Sequence, residues 1–314
     1  MDFRSRAEQV EQDYDRLAAA GACREALDLV TREAHVFPEY AQKTVYAWRM
    51  VMACRLGERD LALQLLRDAV EAGYWYGDLR TDVNFARLHG MPEFERLADI
   101  CMARRAEAMA SAVPVIETFE PDARYAPYPL LLALHGRNAG IEAVHWRPAV
   151  EHGWCVALPQ SSQVYAPGAY TWNDLEWALA EVQAHYATLR RERPIDPERV
   201  VLGGFSQGAG RALWMACAGL IPARGLVLVG PFLPQVEDLR LLLEARDPRG
   251  LHVYLGAGQR DRYCLEVARR LMALLPQYGV VCRLEEYQDL KHAFPADFGE
   301  RLPAALEFVL ADRQ

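Results

Sequence analysis

Ser206 stands at the centre of Gly204-Phe205-Ser206-Gln207-Gly208, with one glycine two positions before it and another two positions after. A hydroxyl is a weak nucleophile near neutral pH. Acyl-transfer chemistry at such a serine needs a base to take its proton, an acid to orient the base, and N–H donors to hold the oxyanion. Asp261 and His292 follow in the order Ser, Asp, His that a serine on a strand-to-helix turn requires. The expected oxyanion donors are two backbone N–H groups. One is that of Gln207, directly after the serine, and the other is that of Arg137 in His135-Gly136-Arg137-Asn138-Ala139-Gly140.

These residues can act together only if the chain delivers them to one place. Arg199-Val200-Val201-Leu202-Gly203 reads as a buried parallel strand and Arg211 to Cys217 as a helix. The turn between them is tight enough to strain the serine backbone, and the flanking glycines leave room for neighbouring chain. Leu251 to Gly256 reads as a later strand whose following loop carries Asp261. Val280 to Tyr287 is the next strand, with His292 in the loop after it, and Tyr128 to Leu134 is a strand that runs into the oxyanion stretch. Trp154 to Pro159 completes the strands, Asp174 to Arg190 is an amphipathic helix, and Pro303 to Leu310 is a closing helix. Ser111 to Phe119 starts the series as an edge strand, where Val113, Val115 and the residues after them alternate as in a half-buried strand. Strands alternating with helices imply an α/β fold with a mostly parallel sheet covered on both faces. In such a sheet, sites form beyond the carboxyl ends of the strands.

On these residues the chain resembles the α/β-hydrolase superfamily, and within it the phospholipase/carboxylesterase group that includes acyl-protein thioesterases. The likeness is carried by Ile195-Asp196-Pro197-Glu198-Arg199-Val200 leading into Gly203 to Gly208, by Leu134-His135-Gly136, by Pro159-Gln160-Ser161-Ser162, by Tyr170-Thr171-Trp172 and by His292-Ala293-Phe294-Pro295. It covers about the last two thirds of the chain. The resemblance implies Ser206 as nucleophile, His292 as general base and then acid, Asp261 as the orienting carboxylate, and Gln207 and Arg137 as oxyanion donors. It implies hydrolysis of carboxylic esters, with thioesters and lysophospholipids within the same chemistry, and no metal or organic cofactor. The sequence departs from the family pattern in three places. Asn138 replaces the second glycine of the oxyanion loop, Ala209 replaces the glycine after the elbow, and Asp289-Leu290-Lys291 precedes His292 without a glycine.

Composition narrows the class further. The chain has 314 residues, 52% of them hydrophobic, enough for two domains with a core each. Its formal net charge of −8, with bases scattered among acids, argues against a nucleic-acid partner. The seven cysteines are an odd number without metal-ligand spacing, and Met1-Asp2-Phe3-Arg4-Ser5-Arg6 lacks the apolar run of a secretory signal, so a reducing cytoplasm is expected. The longest apolar stretches, such as Gly225 to Gly230, are too short to span a bilayer.

Before about residue 112 the pattern is helical. Gly21-Ala22-Cys23-Arg24-Glu25-Ala26-Leu27 recurs 36 residues later as Gly57-Glu58-Arg59-Asp60-Leu61-Ala62-Leu63, each copy at a turn between helical segments. The segments resemble divergent tetratricopeptide repeats, with Gly21, Gly57, Ala26 and Ala62 expected to let paired helices pack closely. Residues 1–112 are therefore expected to form a helical domain that offers a surface for a protein partner or for self-association. Residues 113–314 are expected to form the hydrolase domain.

Each candidate has a plainer reading. Ser206 could be an ordinary helix N-cap, and Asp261 could cap a helix over Arg262 to Leu275, a role compatible with orienting a base. His135 is expected to hold the oxyanion loop rather than do chemistry, and His252 to be a half-buried strand residue. Trp172, Tyr170 and Trp146 could line an acyl or alcohol pocket, or belong to the core. Two other functions share parts of the pattern: a peptidase of the prolyl-oligopeptidase kind, which would carry an N-terminal propeller, and an inactive hydrolase serving as a repeat-based adaptor.

Overall fold

The computed structural model describes residues 3–246 and 248–311. The chain divides into two compact units, Met1–Ser111 with Tyr165–Pro167, and Ala112–Val164 with Gly168–Gln314. The first unit contains α1 (Phe3–Ala19), α2 (Cys23–Arg32), α3 (Gln42–Leu56), α4 (Arg59–Glu71) and α5 (Pro92–Ser111). Residues 3–111 hold only helices and turns, with no strand from which propeller blades could be built. The recurring segment sits at the turns of two helical hairpins, α1 to α2 and α3 to α4.

Of the small residues in that segment, the two alanines play the part expected and the two glycines do not. Ala26 and Ala62 are fully buried close-packing positions. Gly21 and Gly57 are not, because they take the left-handed conformation (φ 73° and 81°) that ends a helix. A Cβ at Gly21 would meet open space. The core of this unit joins Val10 and Tyr14 of α1, Leu27 and Val30 of α2, and Val45 and Met52 of α3, with Tyr14 stacked on Trp48 at 4.6 Å.

The second unit contains β1 (Val115–Phe119), β2 (Tyr128–Leu134), α6 (Ala143–Trp146), β3 (Cys155–Gln160), β5 (Ala169–Tyr170) and α7 (Leu175–Glu192), while the short β4 (Val164–Ala166) straddles the division. It continues with β6 (Ile195–Phe205), α8 (Gln207–Cys217), β7 (Gly225–Val229), α9 (Leu239–Ala245), β8 (His252–Gly258), α10 (Arg262–Leu274), β9 (Val281–Tyr287) and α11 (Phe298–Leu310). The main sheet has the order β1-β3-β2-β6-β7-β8-β9, parallel throughout except for the antiparallel edge strand β1.

Successive strand residues point to opposite faces, and here both faces are buried. Leu130, Leu132, Val200, Leu202, Leu226, Leu228, Val253 and Leu255 enter one core with α7 to α10. Leu131, Ala133, Val201, Val227, Val229 and Tyr254 enter the other with Trp146 and α11.

Two elements differ from the sequence expectation. The edge strand starts only at Val115, because Ser111 still belongs to α5, and its phase is reversed. Val113 and Val115 are exposed, at 67% and 43%, while Ile116 packs toward one core and Phe119 toward the other. The closing helix starts at Phe298 and contains Pro303, because burying the stripe Phe298, Leu302, Ala305, Leu306 and Val309 outweighs the missing N–H.

Candidate active site

The parallel register aligns the carboxyl ends of the strands, pairing Phe205 with Val229 and Val229 with Gly256. Ser206 follows β6 directly and takes φ 52°, ψ −117°, a conformation disfavoured for a residue with a Cβ. Backbone bonds hold it there. Its N–H donates to the Val229 carbonyl at 2.9 Å, and its own carbonyl accepts from the Phe232 N–H at 3.0 Å. The turn closes only because its flanks lack side chains. A Cβ at Gly204 would lie 2.6 Å from the Ala209 nitrogen, and one at Gly208 would lie 2.4 Å from the carbonyl oxygens of Leu134 and His135.

The loops after β8 and β9 bring Asp261 and His292 to this serine. His292 Nδ1 lies 2.5 Å from Asp261 Oδ2, and Nε2 lies 2.8 Å from Ser206 Oγ. A carboxylate only accepts, so the ring proton sits on Nδ1 and Nε2 is left to accept from the serine hydroxyl. Asp261 is also the N-cap of α10, accepting the Cys264 N–H at 3.3 Å, so the cap and the contact to His292 fall on one residue. Ser206 is 8% exposed, and the His292 side chain is 42% exposed. Where the family glycine is missing before His292, Asp289 itself adopts φ 59°. It pairs with exposed Arg260. Gly258 lets the histidine loop pass, since a Cβ there would lie 2.2 Å from the Leu290 carbonyl oxygen.

Gln207 is the first residue of α8, and the first turn of a helix has N–H groups without intrahelical acceptors. Arg137 is exposed, in the loop after β2. That loop is fastened along its length. Asn138, in the left-handed conformation at φ 60°, donates its N–H to the Tyr170 carbonyl at 2.9 Å, and the Tyr170 N–H donates to Ala139 at 2.8 Å. His135 Nδ1 donates to the Gly136 carbonyl at 2.7 Å, and its Nε2 accepts the Ser161 N–H at 3.3 Å. Burial pushes this imidazole down to about 4. His135 is thus a neutral tie between two loops.

A family model described as A/B hydrolase-like, N-terminal domain, matches residues 14–109. An uncharacterized protein from Bacillus cereus ATCC 10987 has a structure similar over 96% of this chain and 97% of its own, at 24% identity and a TM-score of 0.53. Esterase PE8 is similar over 62% of this chain and 99% of its own, at 18% identity and a TM-score of 0.53. A search of curated protein sequences finds no match. The chain is built on the α/β-hydrolase fold.

Two aromatic residues stand elsewhere in this fold than a pocket reading requires. Trp172 is fully buried, and its indole N–H donates to the His135 carbonyl at 2.9 Å, so it braces the loop after β2. Trp146 is 2% exposed and packs edge-on to Phe294 and Phe298 in the core. Tyr170 alone of the three is partly exposed, with its ring 6.5 Å from that of His135. His252 is 7% exposed rather than half-buried, and its Nδ1 donates to the Phe308 carbonyl at 3.1 Å.

Sequence reasoning missed two groups behind the site. The Gln207 side chain accepts from Thr171 Oγ1 at 3.0 Å and the Trp172 N–H at 2.9 Å, and donates to Asn173 Oδ1 at 2.8 Å. The Glu181 carboxylate, buried on α7, accepts from Ser161 Oγ at 2.9 Å, from the Ser162 N–H at 3.1 Å and from Ser162 Oγ. Ser161 then reaches His135, so a chain of hydrogen bonds runs from Glu181 to the loop after β2. The only signal for it in the sequence was the polar pair Ser161-Ser162 directly after an apolar strand.

Proposed function

We propose that the protein is a serine hydrolase of small carboxylic esters, acting through an acyl-enzyme. The observation that carries this reading is the relay Ser206 Oγ to His292 Nε2 at 2.8 Å and His292 Nδ1 to Asp261 at 2.5 Å, set on a strained strand-to-helix turn. Ser206 attacks the ester carbonyl as its proton passes to Nε2, and Asp261 stabilises the imidazolium. The oxyanion is held by the backbone N–H groups of Gln207 and Arg137. The imidazolium then gives its proton to the leaving alkoxide, and water repeats the cycle on the acyl group. An esterase among the solved structures of similar fold supports the substrate class. Thioesters and lysophospholipids fit the same relay, since only the leaving group changes.

A cytoplasmic setting belongs to this reading. It is supported by seven free thiols, and no helix among the described residues is long and apolar enough to cross a membrane. The test uses a fluorophosphonate probe together with p-nitrophenyl esters of graded chain length. The wild type is expected to be labelled and to turn over short esters, and Ser206→Ala to do neither. Labelling that persists in Ser206→Ala moves the nucleophile elsewhere.

A further inference from the structure

We propose that Asp261, Cys264 and His292 form a binding site for a borderline-soft divalent cation, of which zinc is the best fit, and that its occupancy switches the hydrolase off. The switching rests on the ester-hydrolase reading above. The binding does not. One carboxylate oxygen, the Cys264 Sγ and an imidazole nitrogen lie within 4.8 Å of one another. Cys264 is 2% exposed and takes no part in the relay, yet its sulfur is 3.6 Å from His292 Nδ1. Bonds of about 2.3 Å to sulfur and 2.0 Å to nitrogen at a tetrahedral angle place those two atoms about 3.5 Å apart, which matches this spacing without movement. The carboxylate oxygen sits 2.5 Å from Nδ1 and must open to about 3.3 Å, the separation of two ligands on one tetrahedral ion. The His292 side chain is 42% exposed against 9% for Asp261, so a fourth ligand such as water would enter from the imidazole side. A donor set of one sulfur, one nitrogen and one oxygen suits zinc or cobalt(II) and disfavours magnesium and calcium, which take oxygen.

The consequence follows from proton bookkeeping on the ring. The metal bonds to the Nδ1 lone pair, so the single proton of the neutral imidazole moves from Nδ1 to Nε2, while the Cys264 thiol loses its proton to the buffer. Nε2 then carries hydrogen and donates to Ser206 Oγ where it formerly accepted, and the serine has no base. Asp261 becomes a metal ligand and no longer orients the ring.

Zinc titrated into the metal-free protein by calorimetry, and cobalt(II) titrated under near-ultraviolet absorption, read the site without substrate. The wild type is expected to bind one zinc and to develop a thiolate-to-cobalt charge-transfer band. Fluorophosphonate labelling should fall over the same zinc concentrations and return with EDTA. Loss of a ligand should weaken binding by at least about tenfold, since even outer partners of metal ligands are worth 10–100-fold. Cys264→Ala should therefore lose the cobalt band and need about tenfold or more zinc for the same loss of labelling. Cys264→Ser serves in the same way if the alanine variant does not fold. No cobalt band in the wild type, or equal zinc sensitivity in the Cys264 variants, overturns the proposal. A band that depends on Cys264 in a protein that neither labels nor cleaves esters would sustain the metal site and remove the hydrolase reading instead.

Discussion

Replacing Glu181 by glutamine tests whether a carboxylate with no contact to the candidate triad governs the loop proposed to hold the oxyanion. The wild-type carboxylate accepts three donors, Ser161 Oγ, the Ser162 N–H and Ser162 Oγ. Glutamine keeps one carbonyl oxygen for Ser162 but presents an NH2 group to Ser161 Oγ. That hydroxyl already accepts the Gln163 N–H at 3.0 Å, so its own proton loses its acceptor in a buried place. An unsatisfied buried hydroxyl costs about 1–3 kcal/mol, and loss of charge from the two bonds that survive adds about 1 kcal/mol, so the variant should be destabilised by roughly 2–4 kcal/mol. Urea unfolding would read this as a lower midpoint with an unchanged slope. Because Ser161 passes the tie to His135 and Gly136, kcat should fall on the order of tenfold, a fraction of what losing a whole oxyanion donor costs, while KM stays close to the wild-type value. A stability loss under about 1 kcal/mol together with kcat within twofold of wild type would refute the reasoning.

Asp261→Asn should lose on the order of 10⁴ in kcat by disordering the base, while near-normal turnover would remove Asp261 from the relay. Gly258→Ala places a Cβ 2.2 Å from the Leu290 carbonyl oxygen and must push the histidine loop aside. An ångström of misplacement costs about 10²-fold in kcat, and steady-state kinetics on a folded variant with unchanged kcat would contradict the close approach. Arg137→Ala should leave kcat for a neutral ester within about threefold, because the backbone N–H is the proposed donor; a loss of about 10² or more would give the role to the guanidinium. His135 sets a pH dependence. The unfolded chain takes up this proton near 6.5, whereas the native imidazole is held down to about 4 by burial. Its contribution to stability is therefore full above about pH 6.5 and is lost as pH falls toward 4, by about 3 kcal/mol in all. Urea midpoints of the wild type should drop more steeply over that window than those of His135→Asn, and parallel curves would contradict it.

The elbow was legible because close packing leaves a mark in residue type. Gly204 and Gly208 are glycine since backbone lies within 2.6 Å of where a Cβ would be, and the strands on either side are unbroken apolar runs because both their faces are buried. Legibility failed where one residue type serves two purposes. Gly21 and Gly57 look like packing glycines but end helices, and Trp172 looks like a pocket wall but braces a loop through its N–H. Glu181 reads as part of the polar face of an amphipathic helix. Its partners lie 19 and 20 positions earlier in the chain, and nothing local announces them. Asn138 and Asp289 supply positive φ without glycine, which a motif search scores as a departure while the backbone makes the same turn.

On the proposed relay Asp261 would serve both the base and the helix it caps, which changes what its presence can mean in other sequences built this way. A chain that had lost hydrolytic function would be free to change its serine and histidine. It would still give up about 1 kcal/mol of helix stability if the aspartate at the head of α10 became alanine. Folding alone would then keep a carboxylate at that position long after the chemistry was gone. An aspartate there, found without its two companions, marks the start of a helix and is no sign of an enzyme.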